Sequence, residues 1–300
     1  MNRRRFLSLA PFAATVGLST SALLPACAQA PKYERIRDVI YRKKGGVALT
    51  MDVFKPEKQS GIGVLFMVSG GWFSSHEAIN AGFCEPFLKR GQTVFMVVHG
   101  SQPKYIIPEI WQDIERATRF VRYNAATYGV DPNRLGVSGG SAGGHLSLML
   151  GARGPAANPE AKDPIDRVSG RVQAVACFYP PTDFLNYGKS GENALLSETL
   201  KNFRPAWGLL NPTPEQAATL GKEISPITYA DKNTPPTLII HGDKDLLVPI
   251  QQAEAYLARL KELGVENKLI VREGKAHGWP NLVDDIHILA QWFDDHLPAK

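Results

Sequence analysis

Between Leu135 and Leu150 the chain reads LGVSGGSAGGHLSLML, a strand-like apolar run and a helix-like apolar run joined through five glycines grouped around Ser141. Both runs are rich enough in apolar residues to be buried, so the join between them must turn sharply inside a packed interior. A serine on such a turn takes a strained backbone conformation, and its neighbours must lack bulk for strand and helix to approach. The turn lifts the hydroxyl above the strand end and sets the Ala142 amide at a helix N-terminus, where it can stabilise a developing oxyanion. Gly139-Gly140-Ser141-Ala142-Gly143 thus fits G-x-S-x-G in the strand–turn–helix context that the pattern requires. A phosphate-binding loop is the competing meaning of so many glycines, but neither a dinucleotide fingerprint nor a P-loop lysine follows.

The rest of the chain supplies a fold in which such a turn makes sense. RDVIYRK and VALTMDVFKP, separated by Gly45-Gly46, read as a β-hairpin. GVLFMVS and QTVFMVVH are unbroken apolar runs, the pattern of strands covered on both faces, and a helix is expected between them over Ala78–Arg90. Pro108 opens a longer helix with Ile110, Ile114, Ala117, Val121 and Ala125 on its apolar face; Gln112, Asp113, Glu115, Arg116 and Arg119 are expected on the other. LGVSG, VQAVACFY, TLIIHG and NKLIVRE continue the strand series, and Ile250–Leu263 and Leu282–His296 read as helices. Strands alternating with helices predict an α/β fold with a mostly parallel central sheet flanked by helices, its ligands held beyond the carboxyl ends of the strands. Residues 182–234 break the rhythm after the sixth strand with scattered prolines and aromatics, and are expected to form a cap-like insertion over part of the site.

A serine hydroxyl is a weak nucleophile without a base and an orienting carboxylate. Of seven histidines, His76, His99, His145 and His241 fall near predicted strand ends or the serine's helix, and His287 and His296 in the last helix. His277 stands in the small-residue loop GKAHGWP between the last strand and that helix, the place from which a base can reach over the sheet. For the carboxylate, HGDKDLLVP offers two candidates: Asp243, suited to fixing the turn through backbone amides, and Asp245, which is favoured because it begins D-x-x-V-P before a helix. Asp113 and Asp183 read as structural. A second oxyanion donor is expected from Gly70, Gly71 or Trp72, in the loop MVSGGWFSSH after the third strand.

The first residues, MNRRRFLSLAPFAATVGLSTSALLPACAQA, have a basic head, a mildly apolar middle and a small-residue end, the layout of a secretory signal. Arg3-Arg4 followed by Phe6-Leu7 resembles a twin-arginine pattern, so residues 1–28 are expected to direct export to the periplasm or beyond, leaving one hydrolase-sized domain over 29–300. LPAC, ending at Cys27, resembles a lipobox that would leave a lipid anchor there; ordinary cleavage nearby would release the chain free. Three of the five net positive charges are Arg3, Arg4 and Arg5, and no basic stripe follows, which argues against a nucleic-acid partner. Cys84 and Cys177 show no metal-type spacing, and no metal or cofactor is expected. Oligomeric state leaves no signal.

Taken together, DPNRLGVSGGSAGGHL, CFYPPTDF, SPITYA, HGDKDLLVP and AHGW resemble, in order, the motifs of the α/β-hydrolase superfamily. The nearest likeness is to its esterase/lipase branch, with hormone-sensitive-lipase-like and feruloyl or acetyl-xylan-esterase-like enzymes. The resemblance implies a catalytic triad of Ser141, Asp245 and His277, an acyl-enzyme, and a small-molecule ester as substrate. These families usually carry H-G-G-G-[FW] at the oxyanion loop, where this chain has Val68-Ser69-Gly70-Gly71-Trp72, lacking the histidine and one glycine. Two further readings compete: a peptidase or amidase of the prolyl-oligopeptidase-like type, which shares D-x-x-V-P and HGW, and a non-catalytic binding protein on the same fold.

Overall fold

The computed structural model describes residues 31–299, so the export signal and Cys27 lie outside the described residues. Eight strands form one sheet: β1 (Tyr33–Lys44), β2 (Val47–Pro56), β3 (Gly63–Met67), β4 (Thr93–Val97), β5 (Leu135–Gly140), β6 (Ala174–Phe178), β7 (Thr237–Gly242) and β8 (Asn267–Arg272). Their spatial order is β1-β2-β4-β3-β5-β6-β7-β8. β1 pairs antiparallel with β2 and β2 with β4, whereas every pairing from β4 through to β8 is parallel. Gly45 and Gly46 both have positive φ, 52° and 78°, which a two-residue hairpin turn requires when its twist is to match the strands it joins.

Seven α-helices accompany the sheet among the described residues: α1 (Glu85–Leu88), α2 (Ile107–Tyr123), α3 (Ala142–Arg153), α4 (Arg204–Trp207), α5 (Pro214–Glu223), α6 (Gln251–Glu262) and α7 (Leu282–His296). Strand side chains alternate between two cores, as a pleat demands. Val64 and Phe66 of β3 pack in one cluster with Phe87 and Leu88 of α1 and Ile286, Leu289 and Phe293 of α7. Leu65 and Met67 face the other, with Ile110 and Ile114 of α2, Leu146 and Leu150 of α3, and Leu257 and Leu260 of α6. The unbroken apolar runs of the sequence are therefore strands covered on both sides. Between β6 and β7, Phe184, Leu195, Leu200 and Trp207 join this second core, so that connection is packed onto the α2, α3 and α6 face. No helix among the described residues is long and apolar enough to cross a membrane.

Two local expectations fail for identifiable reasons. The helix expected over Ala78–Arg90 is broken into single 3₁₀ turns at His76–Ala78 and Ala81–Phe83 before α1. The Asn80 side chain accepts from the Gly82 amide and starts a new turn, and Pro86 takes the first turn of α1, where its missing N–H costs nothing. Asp113, expected on the solvent face of α2, is fully buried. Arg42 and Lys44 reach it from β1 at 2.6 and 3.3 Å, and the Gly100 amide donates to it at 3.2 Å. Burial raises its pKa, and the two cations oppose that rise. Cys84 and Cys177 are both buried and free.

Candidate active site

The parallel strands β5, β7 and β8 end on the same side of the sheet, and the loops after them carry Ser141, Asp245 and His277. Ser141 has φ 54° and ψ −120°, a conformation that L-residues avoid. It is held by its amide, which donates to Phe178 O at 3.0 Å, and by its carbonyl, which accepts from the His145 amide at 2.9 Å and so opens α3. Close packing explains the glycines on either side. A Cβ on Gly139 would lie 2.7 Å from the Gly143 backbone, and one on Gly143 would lie 2.6 Å from Met67 O. Both clashes are with main chain, which cannot rotate away. The glycines thus let strand and helix converge beneath the serine, and they do not form a hinge.

Ser141 Oγ lies 2.8 Å from His277 Nε2, and His277 Nδ1 lies 2.7 Å from Asp245 Oδ2. An ionised carboxylate only accepts, so Nδ1 carries the proton and Nε2 turns its lone pair to the serine hydroxyl. Asp245 is buried. Burial alone would raise its pKa, but hydrogen bonds from His241, His277 and the Val248 amide outweigh that and hold it well below the usual carboxylate range. Its Oδ1 accepts from the Leu247 and Val248 amides, each at 2.9 Å. Asp243 instead accepts from the Gly274 amide at 2.6 Å, a turn-fixing bond away from His277. Asp183 likewise accepts from the amides of Leu185 and Asn186 within its own turn.

The other histidines are placed elsewhere, and three of them support the site in ways that sequence reasoning missed. His241 is fully buried, its Nε2 donating to Val248 O at 2.8 Å and lying 3.3 Å from Asp245 Oδ2, so it backs the carboxylate from the side opposite His277. His145 Nδ1 accepts from the Trp72 indole at 3.1 Å while Nε2 donates to Ile224 O at 2.7 Å, tying the loop after β3 to α3. His99 Nδ1 donates to Gly100 O and Nε2 accepts from the Ser69 hydroxyl, both at 2.8 Å. Two buried imidazoles therefore anchor a loop that lacks the histidine usual at Val68. No spacing in the sequence announces these bonds, because each joins separate segments. His76 contacts Thr50 and Asp38, His296 stacks on Trp292, and His287 lies on α7.

Within the loop after β3, the Gly70 amide donates to Phe73 O at 3.0 Å, so this member of the expected oxyanion set is already committed. Gly71 and Trp72 follow with φ of 55° and 60°. A left-handed conformation is costly for tryptophan, and the indole–His145 bond helps to hold it. Two cavities meet at Ser141. One, of about 640 Å³, also touches His277, Gly70 and Gly71; the other, of about 20 Å³, touches Gly71, Trp72 and Ala142.

Burial pushes the pKa of His99 and of His145 down to about 4 from 6.5, although a backbone carbonyl bond opposes the fall in each. Both therefore stay neutral in the folded chain at pH values where the unfolded chain binds a proton. Stability is full above about pH 6.5 and is lost as pH falls towards 4, by up to roughly 3 kcal/mol for each imidazole. The depressed Asp245 pKa acts in a separate window, below the 3.8 of an ordinary aspartate. Melting temperature is thus expected to drop between pH 7 and pH 5, and to drop less in His99→Gln. A flat profile over that range would exclude buried neutral imidazoles.

The chain is similar to known esterases in sequence and in fold. The BD-FAE family model matches residues 51–260. Esterase LipQ of Mycobacterium tuberculosis is 29% identical over 220 residues, covering 71% of this chain and 49% of its own length. A truncated carbohydrate esterase from gut microbiota superposes with a TM-score of 0.75 at 25% identity, covering 90% of this chain and 98% of its own. A thermophilic esterase from Thermogutta terrifontis gives 0.67 at 25% identity, covering 88% and 91%. The chain spans about half the length of the curated relatives it matches.

Proposed function

The chain belongs to the BD-FAE family of α/β-hydrolases, and on that footing we propose that it is a carboxylic ester hydrolase working through an acyl-enzyme on Ser141. The observation that carries the reading is the unbroken relay from Ser141 Oγ through His277 to Asp245, at 2.8 and 2.7 Å, opening into a cavity. Ser141 Oγ attacks the ester carbonyl as its proton passes to His277 Nε2. Negative charge develops on the carbonyl oxygen, which accepts from the Ala142 amide at the head of α3 and from a second amide in the Gly71–Trp72 turn. The tetrahedral intermediate collapses with cleavage of the carbonyl–alkoxy bond, and His277 returns the proton to the departing alcohol. Water then repeats the sequence on the acyl-serine, with His277 as base, and releases the carboxylic acid. Asp245 holds the Nδ1–H tautomer and stabilises the imidazolium that forms twice in each cycle.

The same reading includes export. Residues 1–28 serve as a twin-arginine-like signal, the chain acts in the periplasm or outside the cell, and residues 182–234 cap part of the site. Use of the LPAC sequence would retain the chain on a membrane through Cys27. Turnover of p-nitrophenyl acetate beside alanine p-nitroanilide tests the ester assignment. Ester hydrolysis is expected to exceed anilide hydrolysis by orders of magnitude in kcat/KM. A preference for the anilide would establish a peptidase or amidase, and inertness to both would favour a binding protein.

A further inference from the structure

Of the two cavities that meet at Ser141 one is much the larger, about 640 against about 20 Å³. The larger contains His277 in its wall, and the smaller is lined by Ala142 and by Trp72, Phe184, Leu200, Phe203 and Trp207, without His277. A general acid must reach the leaving oxygen. The alcohol of an ester therefore belongs in the cavity that contains His277, and the acyl substituent in the other. The centre of a water-sized sphere can move within only about 20 Å³ of the smaller cavity, which suits a short acyl substituent such as a methyl group. Trp207 and Phe184, each 1% exposed, are fixed in the core, so a longer chain would have to displace the partly buried Phe203.

Phe203 lines both cavities and stands where they join. Its ring packs edge-on against Trp72 at 5.9 Å, and lies 2.9 Å from where a Cβ on Gly71 would sit. Phe203 thus presses on the loop that orients the carbonyl, and divides acyl space from alcohol space. The larger cavity is walled by groups such as Phe66, Phe83, Met96, Phe178 and Trp279, and among the described residues no lysine, arginine, aspartate or glutamate lines it. Alcohols rich in hydroxyl groups would find few partners there, whereas a ring-sized apolar alcohol would fill it.

Taking Ser141, His277 and Asp245 as the catalytic groups, we propose that the site takes acetate esters of bulky apolar alcohols, with Phe203 setting the acyl limit. The test compares kcat/KM for p-nitrophenyl acetate, butyrate and hexanoate, and for cyclohexyl acetate beside 6-O-acetylglucose, in the full chain and in Phe203→Ala, Phe203→Leu and Ser141→Ala. Acetate is expected to exceed butyrate by about 10- to 100-fold, as a pocket that rejects added methylenes allows. Cyclohexyl acetate is expected to exceed 6-O-acetylglucose by about 10-fold or more. Phe203→Ala should raise the butyrate-to-acetate ratio by about 10-fold, with Phe203→Leu between. Ser141-dependent turnover in which butyrate equals acetate, or in which the acetylated sugar is preferred, overturns the proposal while leaving ester hydrolysis intact. A ratio unmoved in both folded Phe203 variants removes that residue as the limit. Absence of ester turnover, or turnover that survives Ser141→Ala, overturns the catalytic reading together with the proposal.

Discussion

Ser141→Ala is expected to lower kcat on p-nitrophenyl acetate by about 10⁴-fold or more, with little change in KM. The substrate would still occupy the same cavities and meet the same amides, so binding survives while the covalent route is lost. What turnover remains should come from oriented water and the oxyanion donors alone. Alanine removes one oxygen whose only side-chain bond among the described residues is to His277, so the melting temperature should move by no more than a few degrees. Melting temperature and kcat measured on one preparation separate loss of chemistry from loss of fold. A variant that keeps within 10-fold of the original kcat would show that another group attacks the ester.

Asp245→Asn is expected to cost about as much, again near 10⁴-fold in kcat, for a different reason. Asp245 accepts from two backbone amides on Oδ1, and on Oδ2 from His277, with His241 beside it. An asparagine must turn its NH₂ towards one of these sets, and every member of both is a donor. If the NH₂ faces His277, Nδ1 can only accept, so the proton moves to Nε2 and points at the serine. If it faces the Leu247 and Val248 amides, a half-buried and a buried donor lose their acceptor, at a cost of about 1–3 kcal/mol for the buried one. Either arrangement leaves a base of the wrong tautomer or a loosened loop. Asp243→Asn can still accept from the Gly274 amide and should stay within a few-fold of the parent. Equal losses at the two positions would remove the special role assigned to Asp245.

Much of this architecture is legible in the sequence because its signals are local. Five glycines around Ser141 mark a close strand–helix approach, and the backbone clashes that a Cβ would meet at Gly139 and Gly143 are the physical content of that mark. The unbroken runs at β3 and β4 identify strands covered on both faces, and Gly45-Gly46 identifies the hairpin. The choice between Asp243 and Asp245 follows from position in the loop after β7, where only the latter meets His277. What escapes is decided by contacts distant in sequence. Asp113 is polar yet stands at the edge of the buried face, three positions after Ile110 and four before Ala117, and the two cations from β1 and the Gly100 amide that make its burial tolerable are all distant in sequence or outside the helix. The Ser69–His99 and Trp72–His145 bonds that anchor the altered oxyanion loop span 30 and 73 positions. The partition of the site by Phe203 depends on how residues 182–234 fold back over α3, which no periodicity encodes.

The most direct test of the central claim is to inactivate the chain with a fluorophosphonate while following residual esterase activity and the mass of the labelled protein together. Activity is expected to fall in proportion to the appearance of a single adduct, located by peptide mapping on Ser141, with no adduct formed in Ser141→Ala. Full activity in a stoichiometrically labelled chain, or inactivation by an adduct on any other residue, would contradict the account.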